Sequence, residues 1–271
     1  MGNAVLESLL KRDRYVVLAA LLALTALAWS YLLWLAGTMP SSGMTMSQMA
    51  MAAAMAPPVA SAPMDLLLAF IMWAVMMVGM MTPSIAPVIL LYARVGRHAA
   101  SSGKLFAATG WFAAGYFLAW TGFSILAAAA QVTLRAAALL TPDLASANRT
   151  LEAGFLIVAG AYQWSPLKNA CLAQCRQPLM FIQRHGGFKR SAAGSLALGF
   201  RHGLYCTGCC WSFMLLLFVG GVMNLLWVAA LAVLVLMEKL PAQGNFLARA
   251  TGTALMAGGV LLIYRELFGS G

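Results

Sequence analysis

The sequence predicts an all-α fold, a polytopic membrane helical bundle of about seven transmembrane helices that forms one integral membrane domain over residues 1–271. Hydrophobic residues make up 62% of the chain and charged residues 9%, whereas soluble domains carry about 25% charged residues. Apolar runs of about 20 residues recur, and each is long enough to cross a hydrocarbon core about 30 Å thick. No hydrophilic stretch is long enough to fold as a separate soluble domain.

The apolar runs and the residues that interrupt them place the first four helices. The first run follows a basic N-terminus and is too long for a signal peptide, so it is predicted to stay as a helix. Prolines break the chain after this run, and Pro83 and Pro87 predict a kink or a broken turn inside the second helix. The third run is unbroken, and the short fourth run ends near Pro166.

The remaining helices come from a long hydrophobic stretch between Gly203 and Met237 and from a last run near the C-terminus. One helix over the long stretch would measure about 52 Å, which is too long for a single crossing. Gly220-Gly221 is the natural turn, and it divides the stretch into a fifth and a sixth helix. The seven helices are predicted at 15–36, 64–93, 105–130, 151–167, 198–220, 223–238 and 247–266.

The basic residues predict which side of the membrane each loop occupies. The net charge is +10, and with the N-terminus inside, 13 of the 17 lysines and arginines fall on the inner side and three on the outer side. Such a bias is typical of membrane proteins. It predicts an inside N-terminus, a Met-rich outer loop at 37–63 and a basic inner loop at 165–197. No motif for nucleic-acid binding accompanies the charge, so the expected partner of this surface is the lipid bilayer.

The fifth predicted helix carries three of the five cysteines beside a histidine. On a helix that advances about 100° per residue, these four side chains fall within roughly a third of the circumference. The candidate ligands are His202, Cys206, Cys209 and Cys210. Imidazole and thiolate form a soft ligand set that suits Cu(I) or zinc. The alternative is that the cysteines are small hydrophobic residues of the core.

Two further cysteines, Cys171 and Cys175, lie one helical turn apart between Lys168 and Arg176. The neighbouring cations are expected to lower the pKa of both thiols, which makes them candidate metal ligands or redox-active groups. A disulfide framework is not expected, because the number of cysteines is odd and the topology places them toward the reducing side of the membrane.

Methionine is unusually frequent, with 18 residues in the chain. Thioether sulfur selects soft, reduced metals such as Cu(I). The candidate ligands in the outer loop are Met44, Met46, Met49 and Met51. Those on the second helix are Met72, Met76 and Met80, which form an i, i+4 ladder on one face. The alternative for both groups is packing, with methionine as a flexible apolar filler.

The other polar residues offer no catalytic arrangement. The seven acidic residues are scattered, and neither a nucleophile–base pair nor a phosphate-binding loop is present, so no catalytic residue is predicted. Glu238-Lys239 ends the sixth predicted helix and is expected to be a pair at the membrane interface. His98 and His185 are expected to be solvated in the basic inner loops.

Three separated motifs resemble an uncharacterised bacterial family that is described as predicted metal-binding integral membrane proteins. They are W-x-x-M-M-x-x-M-M-x-P at 73–83, P-L-K-x-x-C-L-x-x-x-C-R-x-P at 166–178 and G-x-x-C-x-G-C-C-W at 203–211, followed by Met223-Asn224 and Glu238-Lys239. The resemblance covers about 64–240. It implies a multi-pass protein of a bacterial inner membrane and a bound metal, and it specifies neither the metal nor an activity.

The residues together predict a membrane protein that handles Cu(I), captures it on the outer face and moves it inward or delivers it to a cuproenzyme. Zinc and haem stay open as alternatives for the bound group. A cuproenzyme or a metallochaperone is the expected protein partner, and the oligomeric state is left open. Two other classes stay open: a membrane thiol–disulfide oxidoreductase, and a non-transporting subunit or assembly factor of a larger membrane complex.

Overall fold

A computed structural model describes residues 2–38, 62–101, 109–141, 144–240 and 244–268. In these segments the chain forms helices and no β-strand, which confirms the all-α class. In lipid every backbone N–H and C=O group needs a partner within the chain, and helices supply it. The helices are α1 (Gly2–Thr38), α2 (Ala62–Ser101), α3 (Thr109–Ala136), α4 (Arg149–Gln163), α5 (Pro166–Arg176), α6 (Pro178–Arg184), α7 (Ala192–Leu215), α8 (Leu217–Gly220), α9 (Leu225–Glu238) and α10 (Gly244–Phe268).

Five of the helical stretches are long and apolar enough to cross a membrane. They are Tyr15–Gly37, Pro63–Gly96, Thr109–Ala136, Ala192–Gly220 and Asn245–Phe268. The other two predicted helices correspond to α4 and α9, which have 15 and 14 residues and are therefore about 22 and 21 Å long. Both are shorter than a hydrocarbon core of about 30 Å. Seven crossings and an inside N-terminus therefore stay predictions.

Side-chain caps and turn residues set the ends of the shorter helices. Pro166 lies in the first turn of α5, where a missing N–H costs no helical hydrogen bond. Gly221 has a φ of 87°, a conformation that glycine adopts without a steric penalty, and it forms the predicted turn between α8 and α9. First-turn N–H groups of α4, α5, α7 and α9 donate to the side chains of Asn148, Ser165, Ser191 and Asn224.

Helix α2 runs antiparallel to α7 and continues through both of its prolines, so the predicted broken turn is not found there. Near one end of α2, the ring centre of Trp73 lies 5.5 Å from that of Phe218 in α8, which follows α7 directly. Near the other end, the hydroxyl groups of Tyr92 and Ser195 are 2.8 Å apart. Positions along α2 and α7 can therefore be compared on one depth scale.

Small residues allow two helix pairs to pack backbone against backbone. A Cβ atom added to Gly199 of α7 would lie 2.0 Å from the Phe112 carbonyl oxygen of α3, and one added to Gly160 of α4 would lie 2.7 Å from the Gly252 carbonyl oxygen of α10. In lipid, where the hydrophobic effect does not drive helix association, such close contacts supply much of the packing energy. The first contact packs α7 directly against α3, and the second packs α4 against α10.

Short helices end beside the middle of α7. Cys206 lies 14 residues from each end of Ala192–Gly220, or about 21 Å along the helix axis from either end. The Tyr162 hydroxyl near the end of α4 donates to the Gly208 carbonyl at 2.5 Å. Lys239, just after α9, has its ammonium 3.0 Å from the Cys206 sulfur. Helix ends at membrane depth are tolerated only where protein surrounds them, and broken helices often mark a binding site.

Candidate metal centre

Three cysteines from two helices meet beside the middle of α7. The sulfur atoms of Cys175, Cys206 and Cys209 all lie within 4.8 Å of one another, and those of Cys175 and Cys209 are 3.9 Å apart. Cys206 and Cys209 share a face of α7 because they are three residues apart, and they are 2% and 1% exposed. Cys175 is half-buried. Three sulfur atoms form a soft donor set that suits Cu(I).

A tyrosine and a lysine contact the sulfur of Cys206. The Tyr116 hydroxyl lies 3.1 Å from it, and the Lys239 ammonium donates to it at 3.0 Å and to the Ser84 hydroxyl at 2.9 Å. Three thiolates around one Cu(I) leave two net negative charges, and an adjacent ammonium offsets part of this charge where water is excluded. The Lys239 ammonium is therefore placed to offset negative charge on the Cys206 sulfur.

A buried ion pair joins α5 to the end of α9. The Lys168 ammonium lies 2.6 Å from a Glu238 carboxylate oxygen, and the two side chains are 0% and 2% exposed. Lys168 also donates to the Gln163 side-chain oxygen and lies 4.5 Å from the centre of the Phe213 ring. Arg176 donates to the Glu238 backbone carbonyl at 3.0 and 2.7 Å. These contacts position both α5 and the residue that follows α9 against the centre.

The prediction of an interfacial Glu238-Lys239 pair is wrong. Glu238 is buried and paired with Lys168, and Lys239 contacts Cys206 beside the middle of α7. The physical reason is the length of α9, whose 14 residues extend about 21 Å from the turn at Gly221. The chain therefore stops short of the opposite end of α7.

The cations near Cys171 and Cys175 do not lower the pKa of the two thiols as the sequence predicts, because both cations are turned toward the end of α9. Burial raises the pKa of the Cys171 thiol, and the charge of Cys209 adds to the effect. Hydrogen bonds with the other two cysteines of the centre, together with burial, hold the pKa of Cys175 well above its ordinary value. A bound metal therefore has to displace the protons of these thiols.

Cys210 and His202 are buried beside the centre but outside the three-cysteine group. The Cys210 thiol donates to the Cys206 backbone carbonyl at 2.9 Å. His202 lies one turn before Cys206, with its ring centre 4.8 Å from that of Phe181. Its Nδ1 has no hydrogen-bond partner among the described residues. Their roles as ligands stay predictions, and so does that of Cys171, which lies one turn before Cys175 on α5.

The predicted methionine ladder lies between one end of the bundle and the centre. Met72, Met76 and Met80 are buried in the same core as the cysteines. The ladder begins beside Trp73, which packs against Phe218 just beyond the end of α7. It ends one turn before Ser84, whose hydroxyl accepts a hydrogen bond from the same Lys239 ammonium that contacts Cys206. The candidate ligands of the outer loop, Met44, Met46, Met49 and Met51, lie outside the described residues.

Three contacts of the centre were missed by sequence reasoning: Tyr116, Ser84 and Lys239. A signal existed for Lys239, because the apolar run that precedes it from Leu225 is only 14 residues long and cannot carry a charged pair across the membrane. No local signal marks Tyr116 or Ser84, since their roles depend on how α2 and α3 pack against α7.

Comparison with known proteins relates this centre to copper. Residues 70–262 match the family described as PpoB2, copper chaperone, and this range contains the three-cysteine centre and the methionine ladder. No curated protein and no solved structure matches the chain. The match confirms the resemblance to a metal-binding family. Because it covers more than two thirds of the 271 residues, the chain belongs to the PpoB2 family of copper chaperones.

Proposed function

We propose that this protein is a membrane copper chaperone that captures Cu(I) on the outer face of a bacterial inner membrane and moves it inward or delivers it to a cuproenzyme. The observation that carries the proposal is the meeting of three cysteine sulfurs at one point beside the middle of α7. Soft thiolate ligands select Cu(I), whereas structural zinc sites use four protein ligands. Cu(I) is the cargo of this protein, and the three sulfurs are its holding point.

The methionine ladder supports a direction of movement. Thioether sulfur is neutral and binds Cu(I) without losing a proton, whereas thiolate sulfur is anionic and binds it more tightly. Cu(I) that enters beside Met72 therefore passes Met76 and Met80 before it reaches stronger ligands. With the N-terminus inside, the ladder begins on the outer side, and the methionines of segment 37–63 make the first capture.

Binding at the centre exchanges protons for the metal. As each copper–sulfur bond forms, the thiol that supplies the sulfur loses its proton, and copper stays Cu(I) throughout. Lys239 keeps its position beside Cys206 and offsets the charge that develops. The Lys168–Glu238 pair holds α5 in place, so that Cys175 reaches the two cysteines of α7.

Copper content of the purified full-length protein tests the proposal. Protein loaded anaerobically with Cu(I) and washed with a weak chelator is expected to retain one copper ion per chain by elemental analysis, and little zinc. Cys206→Ser and Cys209→Ser are each expected to lose most of this copper. Ser212→Ala, a buried change on the same helix, is the matched control. If the wild type and the cysteine variants retained equal and near-zero amounts of copper, the proposed copper site would be refuted.

The distance between Cys175 and Cys209 favours one second candidate, a thiol–disulfide oxidoreductase. Their sulfurs are 3.9 Å apart, and a disulfide with sulfurs about 2.05 Å apart would need only a small shift. Such an enzyme forms a redox-dependent Cys175–Cys209 bond during turnover, which thiol trapping on gels detects. A chaperone protects both thiols from the trapping reagent when Cu(I) is present and regains them when a chelator removes the metal.

A further inference from the structure

A cavity of about 410 Å³ lies beside the metal centre and contains two donor groups that the centre does not use. Its lining residues are Cys171, His185, Arg201, Leu204 and Tyr205. The cavity lies on the N-terminal half of α7, on the opposite side of the centre from the methionine ladder. It is therefore placed where metal would leave the three cysteines after entering along the ladder.

Cys171 connects this cavity to the centre. It lies one turn before Cys175 on α5, so the two side chains are neighbours on one helix face. A Cβ atom added to Gly208 of α7 would lie 2.9 Å from the Cys171 sulfur. The absence of a side chain at Gly208 thus lets this sulfur approach α7 beside Cys209.

His185 is held in the arrangement that metal-binding histidines show. Its Nδ1 lies 2.8 Å from the Phe181 carbonyl oxygen, and because a carbonyl only accepts, Nδ1 carries the proton. Nε2 is then left with a free lone pair for a metal. The ring centres of Phe181 and Tyr205 lie 4.5 and 6.0 Å from that of His185 and restrict its orientation. His185 is half-buried, not the fully solvated residue that the sequence predicts.

We propose that Cys171 and His185 form a second, weaker Cu(I) position through which copper leaves the three-cysteine centre. The inference rests on the proposed copper function and adds to it an exit step. A thiolate and an imidazole are both good ligands for Cu(I), and two ligands hold it less tightly than three sulfurs.

The transfer step breaks all three bonds of the centre and involves no change of oxidation state. A bond forms between Cu(I) and the Cys171 sulfur while the bond to Cys209 breaks, and the released Cys209 thiolate takes the proton that Cys171 gives up. A bond to His185 Nε2 forms as the bonds to Cys175 and Cys206 break, and these two thiolates take protons from water, which reverses the proton loss that accompanied loading. An acceptor in the cavity then removes the metal from Cys171 and His185.

The rate of copper release tests this inference separately from copper binding. Full-length protein loaded with one equivalent of Cu(I) is mixed with bathocuproine disulfonate, and the coloured copper complex is followed with time. Cys171→Ser and His185→Gln are expected to keep the bound equivalent but to release it at least about tenfold more slowly, since even residues that only orient a metal ligand contribute about 10–100-fold. Leu204→Ala, which changes the cavity wall without removing a donor, is the matched control.

Two outcomes overturn the inference, and they can be told apart. If both variants release copper at the wild-type rate, the cavity is not the exit, while the copper retained at the centre leaves the proposed function intact. If the wild type retains no copper, the proposed function fails and the exit position fails with it. A second equivalent of Cu(I), bound by the wild type with mixed nitrogen and sulfur ligands in X-ray absorption and absent from His185→Gln, would support the position directly.

Discussion

Removal of the buried lysine of α5 tests how the centre is supported. In Lys168→Met, the Glu238 carboxylate loses the ammonium that lies 2.6 Å from it. Arg176 hydrogen-bonds the backbone carbonyl of Glu238 and not its carboxylate, and the ammonium of Lys239 is directed to Ser84 and Cys206. The second carboxylate oxygen already has no hydrogen-bond partner among the described residues. The variant therefore leaves a charge that is almost fully buried and unpaired.

The magnitude follows from this burial. Breaking a buried ion pair by removing one partner costs about 3–5 kcal/mol, whereas replacing both partners with apolar side chains of similar size is often neutral or stabilising. A change of 1 kcal/mol shifts the midpoint of thermal unfolding by about 2–4 °C in proteins of 150–250 residues. Lys168→Met is therefore expected to lower the midpoint by roughly 6–20 °C, and Lys168→Met/Glu238→Met is expected to recover most of the loss.

The assay is thermal unfolding in detergent, followed by tryptophan fluorescence, with copper retention measured on the same samples. Arg190→Met removes an exposed cation from the loop after α6 and is the control. Copper retention should fall in Lys168→Met, because Cys175 lies on the same short helix. A midpoint within about 1 °C of the wild type, well below the expected shift, or an equal loss in the double variant, would refute the reasoning.

Three further predictions concern the sulfur path and the packing around it. Lys239→Met is expected to weaken Cu(I) binding by about 10- to 150-fold in chelator competition, because a hydrogen bond to a charged group contributes about 1.5–3 kcal/mol; unchanged affinity would exclude a role for its charge. Gly199→Val places atoms against the Phe112 carbonyl oxygen and is expected to destabilise the protein by at least about 1–3 kcal/mol. The control Gly154→Ala has open space at its Cβ position and is expected to leave stability unchanged. Equal unfolding midpoints of the two variants would contradict the close packing. Met76→Leu keeps the side-chain volume and is expected to slow the loading of the centre without changing stability, whereas loading at the wild-type rate would show that the ladder only packs.

Local patterns in the sequence were sufficient for the helical class and for most helix positions. An apolar run long enough to span a membrane forms a helix in lipid, because only a helix pairs the backbone N–H and C=O groups within a single segment. The turn at Gly220-Gly221 was also predictable, since it interrupts a run too long for one crossing. The one-face arrangement of Cys206 and Cys209 follows from helical geometry alone.

Which residues form the metal centre is decided by contacts between distant parts of the chain. Cys175 and Cys209 are 34 residues apart in sequence, and Lys168 and Glu238 are 70 apart. No local pattern shows that α9 stops beside the middle of α7, or that Cys175 of α5 joins the sulfurs of Cys206 and Cys209. The sequence therefore specified which residues have the chemistry to hold a soft metal, because side-chain type and helical periodicity are local properties. Which of these residues share one site was decided by the packing of α5 and α9 against α7, because packing is a property of the whole bundle.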